Sequence, residues 1–443
     1  MDIRQKALEF ALNAYKNQTS KIGVDKPIII HLVSVGNILE EYGYDSNLVA
    51  AGYLHDVLED TKNTKFDLEK EFNNDIVSLV LDASSVKRLS EEERKKNEFE
   101  KIKDLPLRSK LIICADIINN LEDLILTFEK NGIKDFSKFN RSEEYQKWYY
   151  INIYESLING EDSNLPIFKR LNIAIDNVFN KKEDLFLKNT IFEDSNYYQE
   201  LKKLHAQKME LERLRKICQL SKPYVIEFSG TPRTGKTTII NNLFDFFKKG
   251  GFDVSIIEEF TTSKNYKDNI KKELKDLSLK DINLKIIEIV YQQLKEEIGK
   301  NKDIILIDRS INDRQIWNYK RYKSGDIANK CYMEYRDNYK QKSKELIDYL
   351  VVTYADSLTS LKRDYVSSLA LEKRNFLNIN NVDDYNKNLL ELEDLFNESV
   401  DNYLFVDTNN ISKNDSSVIV AKNIMNSMRS KYIDEFKNKY GLK

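Results

Sequence analysis

The chain contains 443 residues, which at about 150 residues per domain is enough for two or three domains, each with its own core. Its 70 Lys and Arg residues nearly balance 72 Asp and Glu, and the net charge of −2 argues against a protein that holds nucleic acid mainly by neutralising phosphates over a long surface. Hydrophobic residues at 41% exclude a disordered chain, and three widely spaced cysteines exclude a disulfide scaffold or a CxxC metal site.

The first segment, MDIRQKALEFALNAYKNQ, is amphipathic and carries acidic residues, unlike a secretory signal peptide. No apolar run approaches the roughly 18 residues that would span a bilayer. Together with the few unpaired cysteines, these features predict a cytoplasmic protein without a membrane partner.

Residues 1–185 are predicted to form an all-α domain. Segments such as ALEFALNAY, LVSVGNILEEYG and DIVSLVLDAS carry apolar residues at the helical spacing i, i+3, i+4. The stretch that follows is charged and punctuated by leucines, and it predicts a helical connector over residues 186–221.

Polar residues interrupt one of the apolar helices, in the segment NLVAAGYLHDVLEDT. His55, Asp56, Glu59 and Asp60 stand at i, i+1, i+4 and i+5, a spacing that predicts one shared helix face. A lone His-Asp pair is also typical of an ordinary surface helix. Four ionisable groups beside apolar neighbours, however, are costly to bury unless they bind something.

Further candidate ligands lie on either side of this segment. His31 follows the run KPIII, and the helix LIICADIINNL carries Asp116 with Asn120 four residues later. Two imidazoles and two carboxylates form a mixed nitrogen and oxygen set, which favours Mn²⁺, Fe²⁺ or Zn²⁺ over Ca²⁺ or Mg²⁺.

A histidine, an HDxxED segment and a later Asp-xxx-Asn helix in this order resemble the HD-superfamily hydrolase domain of the RelA/SpoT alarmone enzymes, over about residues 4–180. The resemblance implies a single catalytic cation with the ligands His31, His55, Asp56 and Asp116. It also implies that Glu59 and Asp60 lie beside the attacking water and that Asn120 contacts the substrate.

One segment departs from that family. The alarmone hydrolases have an Arg-Lys pair shortly before the first histidine, whereas this chain has Ser20-Lys21 and no arginine. Lys21 is therefore the candidate substrate contact in this segment. Either the guanine base is held differently, or the substrate is another nucleotide.

From Pro223 the pattern changes to alternating strands and helices. The predicted strands YVIEFSG, VSIIEE, DIILID and DYLVVTYAD are separated by helical segments that include TTIINNLFDFFKKGG. This alternation predicts an α/β domain over residues 222–443, with a parallel sheet covered on both faces.

A glycine-rich turn follows the first of these strands and fits the Walker A pattern GxxxxGK[ST], in the strand-to-helix context that the motif requires. The candidate phosphate-binding residues are Gly230, Thr231, Pro232, Arg233, Thr234, Gly235, Lys236, Thr237 and Thr238. Backbone N–H groups of such a loop bind nucleotide phosphates. Lys236 is expected to reach the β- and γ-phosphates of ATP, and Thr237 to ligate Mg²⁺.

Charged residues also follow the next predicted strands. Glu258-Glu259 ends the second strand and Asp308-Arg309-Ser310 ends the third, both at the sheet edge where α/β proteins bind ligands. Further on, Arg363 and Arg374 stand on a predicted helix. Their guanidinium groups fit a transferring phosphoryl group, and a solvated basic face explains them equally well.

The Walker A loop, the acidic strand end, the Asp-Arg-Ser motif and an Arg-bearing lid region together resemble the thymidylate kinase and deoxynucleoside kinase group over about residues 222–430. The resemblance implies that Glu258 or Glu259 is the base for the acceptor hydroxyl. Asp308 would assist Mg²⁺ or the acceptor, and Arg309 would bind acceptor or phosphate. The implied lid contacts are Arg363 and Arg374.

The two halves together predict a bifunctional enzyme: a metal-dependent phosphohydrolase of a nucleotide such as an alarmone, joined to an ATP-dependent nucleoside or nucleotide kinase. A second reading is the healing of nucleic-acid ends, by removal of a 2′,3′-phosphate and phosphorylation of a 5′-hydroxyl. A third is a nucleotide sensor in which one domain has lost its chemistry. The expected partners are small nucleotides, nucleic-acid ends remain an alternative, and the oligomeric state is left open.

Overall fold

The structure is a computed structural model that describes residues 2–16, 27–84, 91–131, 134, 136, 142–180, 195–218, 220–259, 277–368 and 378–442. The chain divides into two compact units. The first comprises residues 1–219 with 431–443, and the second comprises residues 220–430. The helix Ser195–Cys218, within the predicted connector, belongs to the first unit.

The first unit is helical throughout its described residues, as predicted. Before the helix Ser195–Cys218 its helices are Ile3–Tyr15, Ile28–Glu41, Ser46–Leu54, Val57–Asp60, Lys65–Glu71, Asn74–Ala83, Glu91–Asp104, Leu107–Asn131, Glu143–Ile158 and Pro166–Phe179. Several begin at a side-chain cap: the Asp45 carboxylate accepts hydrogen bonds from the first turn of its helix, and Asn73 and Ser142 do the same. The long helix Leu107–Asn131 is the centre of the unit, because six other helices pack against it.

Two helices of this unit approach each other closely at a pair of glycines. A Cβ atom at Gly36 would lie 2.1 Å from Cε1 of Tyr53, and one at Gly52 would lie 3.2 Å from Cα of Gly36. Any larger residue would push the helices apart. The close approach matters for the site, because His31 lies on the first of these helices and His55 directly follows the second.

The second unit contains a five-stranded sheet in the order β2-β3-β1-β4-β5, with every strand pair parallel. The strands are β1 (Tyr224–Gly230), β2 (Val254–Ile257), β3 (Ile304–Asp308), β4 (Tyr349–Tyr354) and β5 (Tyr403–Asp407). Its helices are Lys236–Lys248, Leu279–Ile298, Ile311–Lys323, Asn329–Leu346, Ser357–Ser368, Ile379–Glu391, Glu393–Ser399 and the first part of Lys413–Tyr440. The predicted fold class, an all-α domain followed by an α/β domain with a parallel sheet, is confirmed.

The sequence predicted four of these strands and missed β5. Its segment YLFVD is short, and four of its five residues keep some exposure because it forms one edge of the sheet. The carboxyl ends of β1 and β3 lie side by side, with Phe228 paired to Asp308. This register places the turn after β1 next to the motif after β3.

No helix among the described residues is both long enough and apolar enough to cross a membrane.

Replacing Gly230 with alanine is expected to destabilise the second unit by about 3–5 kcal/mol, since a clash adds to backbone strain. Gly230 has φ +118°, and a Cβ atom there would lie 2.0 Å from the carbonyl oxygen of Thr353. Gly325→Ala is the matched control: its φ is +82° but nothing lies within 4 Å of the added Cβ. Calorimetric melting of the full chain checks the difference, and equal shifts for both variants would show that the clash is absent.

Candidate functional site

The predicted helix around His55 is interrupted at the site itself. One helix ends at Leu54, a second runs only from Val57 to Asp60, and His55-Asp56 forms the turn between them. The prediction of one continuous helix face is therefore wrong. Successive side chains of a continuous helix point about 100° apart. In a turn, two adjacent side chains can point towards the same centre. The turn explains how both His55 and Asp56 reach one centre.

Four side chains from three segments converge at this turn. Nε2 of His31 lies 3.2 Å from Oδ1 of Asp116 and 3.8 Å from Oδ2 of Asp56. Nε2 of His55 lies 3.4 Å from Oδ1 of Asp56 and 3.8 Å from Oδ1 of Asp116. One ligand atom from each of His31, His55 and Asp116 lies within 4.8 Å of the other two.

These separations suit a divalent cation. Two ligand atoms each about 2.1 Å from a cation are roughly 3.0–3.4 Å apart at ordinary coordination angles, and the observed atoms need only a small contraction. Both imidazoles are buried, and the donors are nitrogen and carboxylate oxygen. The set therefore fits the Mn²⁺, Fe²⁺ or Zn²⁺ ion expected from its chemistry.

Neighbouring groups fix the orientation of each ligand. Nδ1 of His55 lies 2.8 Å from the carbonyl oxygen of Gly52, which accepts an Nδ1–H and leaves Nε2 for a cation. The Asn120 amide donates to Oδ1 of Asp116 at 2.7 Å. Asn120, predicted to contact the substrate, is thus placed where it orients the candidate ligand Asp116.

Asn119 is a further residue at this site, and no sequence motif indicated it. It is buried, and its amide nitrogen lies 2.7 Å from Nδ1 of His31. The sequence did carry an indication of this contact, because a buried asparagine in the apolar helix LIICADIINNL needs a hydrogen-bond partner.

Glu59 and Asp60 lie half-buried on the short helix after the turn. The buried Tyr15 faces them: burial first, and then the negative charges of Asp56 and Asp60, raise the pKa of the Tyr15 hydroxyl above its usual range. Tyr15 therefore stays protonated beside these carboxylates. It lies far from them in the sequence, and no motif marked it.

Aromatic rings on the helix Glu143–Ile158 lie near the same centre. Burial, followed by the charge of Asp116, raises the pKa of Tyr150 to about 12. Tyr149 lies with its hydroxyl 3.2 Å from Glu98, and the charge of Asp116 contributes to its raised pKa as well. Trp148, on the same helix, keeps 39% of its surface exposed.

In the second unit, the predicted phosphate-binding loop joins β1 to the helix Lys236–Lys248. Gly235 precedes that helix with φ +94°, and Arg233 also has a positive φ. Lys236 is buried, and its Nζ donates to the carbonyl oxygens of Gly230 at 3.1 Å and Thr231 at 2.7 Å. Burial, more than the nearby charge of Arg309, lowers the pKa of Lys236 to about 7.

The loop is held by side chains from several elements. Thr231 donates to Oδ1 of Asn386 at 2.6 Å, Ser360 donates to the carbonyl of Pro232 at 2.6 Å, and Arg233 pairs with the buried Asp364 at 2.6 Å. Thr234 shares a hydrogen bond with Thr353 on β4. These contacts fix the backbone that would face a nucleotide.

Thr237 donates from Oγ1 to Oδ2 of Asp308 at 3.0 Å. The Walker A hydroxyl and the first residue of the Asp-Arg-Ser motif are thus adjacent. A hydroxyl and a carboxylate oxygen are hard ligands of the type that Mg²⁺ prefers, so the pair fits the predicted cation.

Arg309 has φ +62° and directs its guanidinium inward. It binds both carboxylate oxygens of Asp313, at 3.0 and 3.1 Å, and donates to the carbonyl of Gly230 at 3.2 Å. No sequence motif indicated Tyr385. Its hydroxyl lies 3.1 Å from Oδ1 of Asp313 and 3.2 Å from the carbonyl oxygen of Gly230, and it donates to this pair of acceptors.

The two candidate base residues after β2 differ in position. Oε2 of Glu259 lies 3.8 Å from Nε of Arg309, whereas Glu258 is exposed. Of the two glutamates, Glu259 is the one that lies at the Asp-Arg-Ser motif.

A buried carboxylate on β1 accepts hydrogen bonds from the backbone that follows β3. Glu227 on β1 has no exposed surface and accepts hydrogen bonds from the backbone N–H groups of Ser310, Asn312 and Asp313. Burial raises the pKa of Glu227 to about 7 in spite of these donors. A single glutamate in the apolar strand YVIEFSG was the signal for it in the sequence.

Three residues predicted to contact a substrate or phosphoryl group remain: Arg363, Lys21 and Arg374. Arg363 donates to Oγ1 of Thr408 at 3.0 Å and to the carbonyl of the same residue, so its guanidinium is tied to the end of β5. Lys21 and Arg374 lie outside the described residues.

Comparison with known proteins finds a family model, curated relatives and solved structures to which this chain is similar. A family model described as an HD domain matches residues 7–135. The guanosine-3′,5′-bis(diphosphate) 3′-pyrophosphohydrolase MESH1 of Drosophila melanogaster is 35% identical over 119 residues, which are 26% of this chain and 66% of the fly protein. The protein of the same name from Xenopus tropicalis is 31% identical over 144 residues, 32% of this chain and 78% of the frog protein.

Among solved structures, a deoxyadenosine kinase from M. mycoides is 19% identical, with a TM-score of 0.33, and the match covers 46% of this chain and 99% of that one. The predicted resemblance to HD hydrolases is confirmed by the family model and the curated relatives. We assign the fold of the second unit from its parallel strand order and its glycine-rich loop.

Proposed function

The chain belongs to the HD-domain family that includes the guanosine-3′,5′-bis(diphosphate) 3′-pyrophosphohydrolases, and from this membership we propose that its first unit is a metal-dependent hydrolase of such a nucleotide. The observation that carries the proposal is the convergence of His31, His55 and Asp116 on one centre.

In the proposed reaction, water attacks the phosphorus attached to the 3′ oxygen, that P–O bond breaks, and pyrophosphate leaves. A bound divalent cation supplies Lewis acidity, which acidifies water at the site and neutralises phosphate charge. Asp60 and Glu59 stand next to the metal ligands and accept the proton of the attacking water. The protonated Tyr15 lies beside Asp60, and the proton finally passes to the 3′ oxygen.

The neighbouring aromatic rings of Tyr149 and Tyr150 are the proposed platform for the base of the substrate. The charge of Asp116 contributes to the raised pKa of both Tyr149 and Tyr150, so both rings lie within electrostatic range of this proposed metal ligand. Base–aromatic stacking is worth about 1–3 kcal/mol per base and accepts any base. The platform is therefore compatible with guanine without specifying it.

A product screen by mass spectrometry tests this function. The full chain with Mn²⁺ is offered guanosine 3′,5′-bis(diphosphate), ordinary nucleotides and oligonucleotides with 2′,3′-phosphate ends. We expect pyrophosphate and a guanosine 5′-diphosphate from the first compound. Reaction of the oligonucleotides alone would contradict the proposal and favour end healing.

For the second unit we propose ATP-dependent phosphoryl transfer to a hydroxyl of a nucleoside or nucleotide, which makes the chain bifunctional. The Thr237–Asp308 contact behind the Walker A loop carries this proposal. Mg²⁺ and ATP, when bound, supply charge neutralisation and the phosphoryl group. Glu259 accepts the proton of the acceptor hydroxyl, whose oxygen takes the γ-phosphoryl group as ADP leaves. Arg309 lies between that glutamate and the loop and balances the charge that develops.

ATP binding is expected to take up a proton at pH 8. The pKa of Lys236 is lowered to about 7 without nucleotide, so the amine is mostly neutral at pH 8. Adjacent phosphates raise that pKa, and the amine becomes charged in the complex. The affinity for ATP should therefore increase as the pH falls from 9 towards 7 and level off below 7. Calorimetric titration in two buffers of different ionisation enthalpy measures the uptake, and identical heats in both buffers would contradict it.

A further inference from the structure

The hydroxyl of Tyr385 lies between the same two acceptor groups that Arg309 binds. It lies 3.1 Å from Oδ1 of Asp313 and 3.2 Å from the carbonyl oxygen of Gly230. Arg309 donates from Nη1 to the same Oδ1 at 3.0 Å and from Nη2 to the same carbonyl oxygen at 3.2 Å. The four groups thus form a closed ring of hydrogen bonds that includes the guanidinium of Arg309.

Tyr385 reaches this ring from a separate element, the helix Ile379–Glu391. Its side chain is 1% exposed, and its aromatic ring belongs to the hydrophobic core of the second unit. Burial explains why the hydroxyl needs a partner. It does not explain why both acceptors of the hydroxyl are also acceptors of Arg309, which connects Tyr385 to the Asp-Arg-Ser motif.

Tyr385 and Asp313 stay in the protonation states that the ring requires. Burial, followed by the negative charge of Asp313, raises the pKa of Tyr385 well above its usual range, so its hydroxyl keeps the proton. Burial opposes ionisation of Asp313, but the charge of Arg309 outweighs it and lowers the pKa of that carboxyl. The single proton of the hydroxyl is drawn chiefly to the charged carboxylate, because hydrogen bonds to ionised acceptors are the stronger ones.

We propose that Tyr385 is a positioning residue for phosphoryl transfer, which holds the guanidinium of Arg309 at the phosphate-binding loop through Asp313 and the carbonyl of Gly230. This inference rests on the kinase function proposed above for the second unit. An arginine stabilises developing charge best when its donors are fixed in place before the reaction. Tyr385 adds a third element to the two motifs that supply the loop and the arginine.

Other donors to Asp313 limit the size of the expected effect. Ser229 donates to Oδ1 at 3.0 Å, and the indole N–H of Trp317 donates to Oδ2 at 3.2 Å. The carboxylate therefore keeps its place when one hydroxyl is removed, whereas its link to the carbonyl of Gly230 is lost. We expect a loss of about tenfold in turnover, the low end of what a hydrogen bond to a charged group contributes.

The test is Tyr385→Phe, which removes the hydroxyl and keeps the buried ring. The full-length protein is assayed with Mg²⁺ and ATP, and the acceptor is the one that the unsubstituted protein phosphorylates fastest among the deoxynucleosides and the nucleoside monophosphates. We expect kcat to fall about tenfold. The calorimetric Kd for ATP should stay within about twofold, because Arg309 acts on charge that develops during transfer.

Tyr224→Phe is the matched control for loss of a buried hydroxyl. Tyr224 is also 1% exposed, and its hydroxyl lies 2.6 Å from Oγ of Ser427. It begins β1, whereas Gly230 ends that strand. This variant should lower the melting temperature about as much as Tyr385→Phe does and leave kcat unchanged.

A double-mutant cycle assigns the effect to Arg309. Arg309→Lys keeps the positive charge, but an ammonium group cannot bind both acceptors of the ring as the planar guanidinium does. In that background, Tyr385→Phe should lower kcat by less than about twofold. A full tenfold further loss there would overturn the route through Arg309, and so would a lowered ATP affinity that accounts for the lost turnover.

These outcomes differ from a failure of the proposed function. If the unsubstituted protein transfers no phosphoryl group from ATP to any of these acceptors, the kinase function is wrong and this inference falls with it. If it does transfer the group, and Tyr385→Phe has the same kcat as Tyr224→Phe, only the role of Tyr385 is wrong.

Discussion

Replacing His55 with alanine is expected to weaken Mn²⁺ binding in the first unit more than about 100-fold and to lower hydrolase activity at least as much. Loss of an outer partner of a metal ligand already costs about 10–100-fold in affinity or activity, and His55 offers a nitrogen to the cation directly. Its ring is 3% exposed and fixed by the Gly52 carbonyl, so no neighbour can take its place. Metal content and pyrophosphate release measure the two losses.

His205→Ala is the control for this experiment, since His205 is exposed on the helix Ser195–Cys218 and lies outside the described metal-binding group. It should keep both metal and activity. Phosphoryl transfer by the second unit should continue in His55→Ala, because none of the metal ligands belongs to that unit. A His55→Ala protein that retains stoichiometric metal and full turnover would remove His55 from the centre.

The types of the candidate metal ligands could be chosen from the sequence, but their geometry could not. Only three histidines occur in the chain, and two of them lie close to Asp56 and Asp116 in the structure. The turn at His55-Asp56 was missed because a pattern of apolar spacing continues across it. The close approach of Gly36 and Gly52 lies just before the turn, and periodicity along one segment does not report such a tertiary contact.

The supporting residues were missed for a related reason. Tyr385 lies 72 residues from Asp313, to which it donates, so no local pattern links the two. Glu227 and Asn119 did leave a signal, since each is a polar residue within an apolar element. Burial of a polar group requires a partner, but the sequence does not identify that partner.

The conformation of the loop between β1 and the helix Lys236–Lys248 was the local feature most fully predicted, because the GxxxxGK[ST] pattern specifies its own backbone. Glycine is required at Gly230 and Gly235, where φ is positive. Lysine and threonine then follow at the start of a helix. The loop's partners outside the motif, such as Ser360 and Asn386, lie on helices whose approach depends on the whole sheet.

Replacing Lys236 with alanine is expected to lower phosphoryl transfer by about 10²–10³-fold, the usual cost of removing one donor to a developing charge. The fold should not suffer. A buried lysine whose pKa falls from 10.5 to about 7 binds fewer protons in the folded protein, so its charge opposes folding at neutral pH, and the alanine removes that cost. The melting temperature without nucleotide should therefore stay the same or rise. Lys249→Ala, an exposed residue just past the same helix, is the matched control for activity.

The same variant separates a bifunctional enzyme from a nucleotide sensor. If both units are catalytic, Lys236→Ala stops only the ATP-dependent reaction, and His55→Ala stops only hydrolysis. If one unit only gates the other, one of these substitutions changes both reactions or neither. Rates of both reactions are measured for each variant with saturating Mn²⁺ and Mg²⁺. Because each substitution removes a single donor from a different unit, a loss of both reactions in a variant with an unchanged melting temperature would establish gating and contradict two independent active sites.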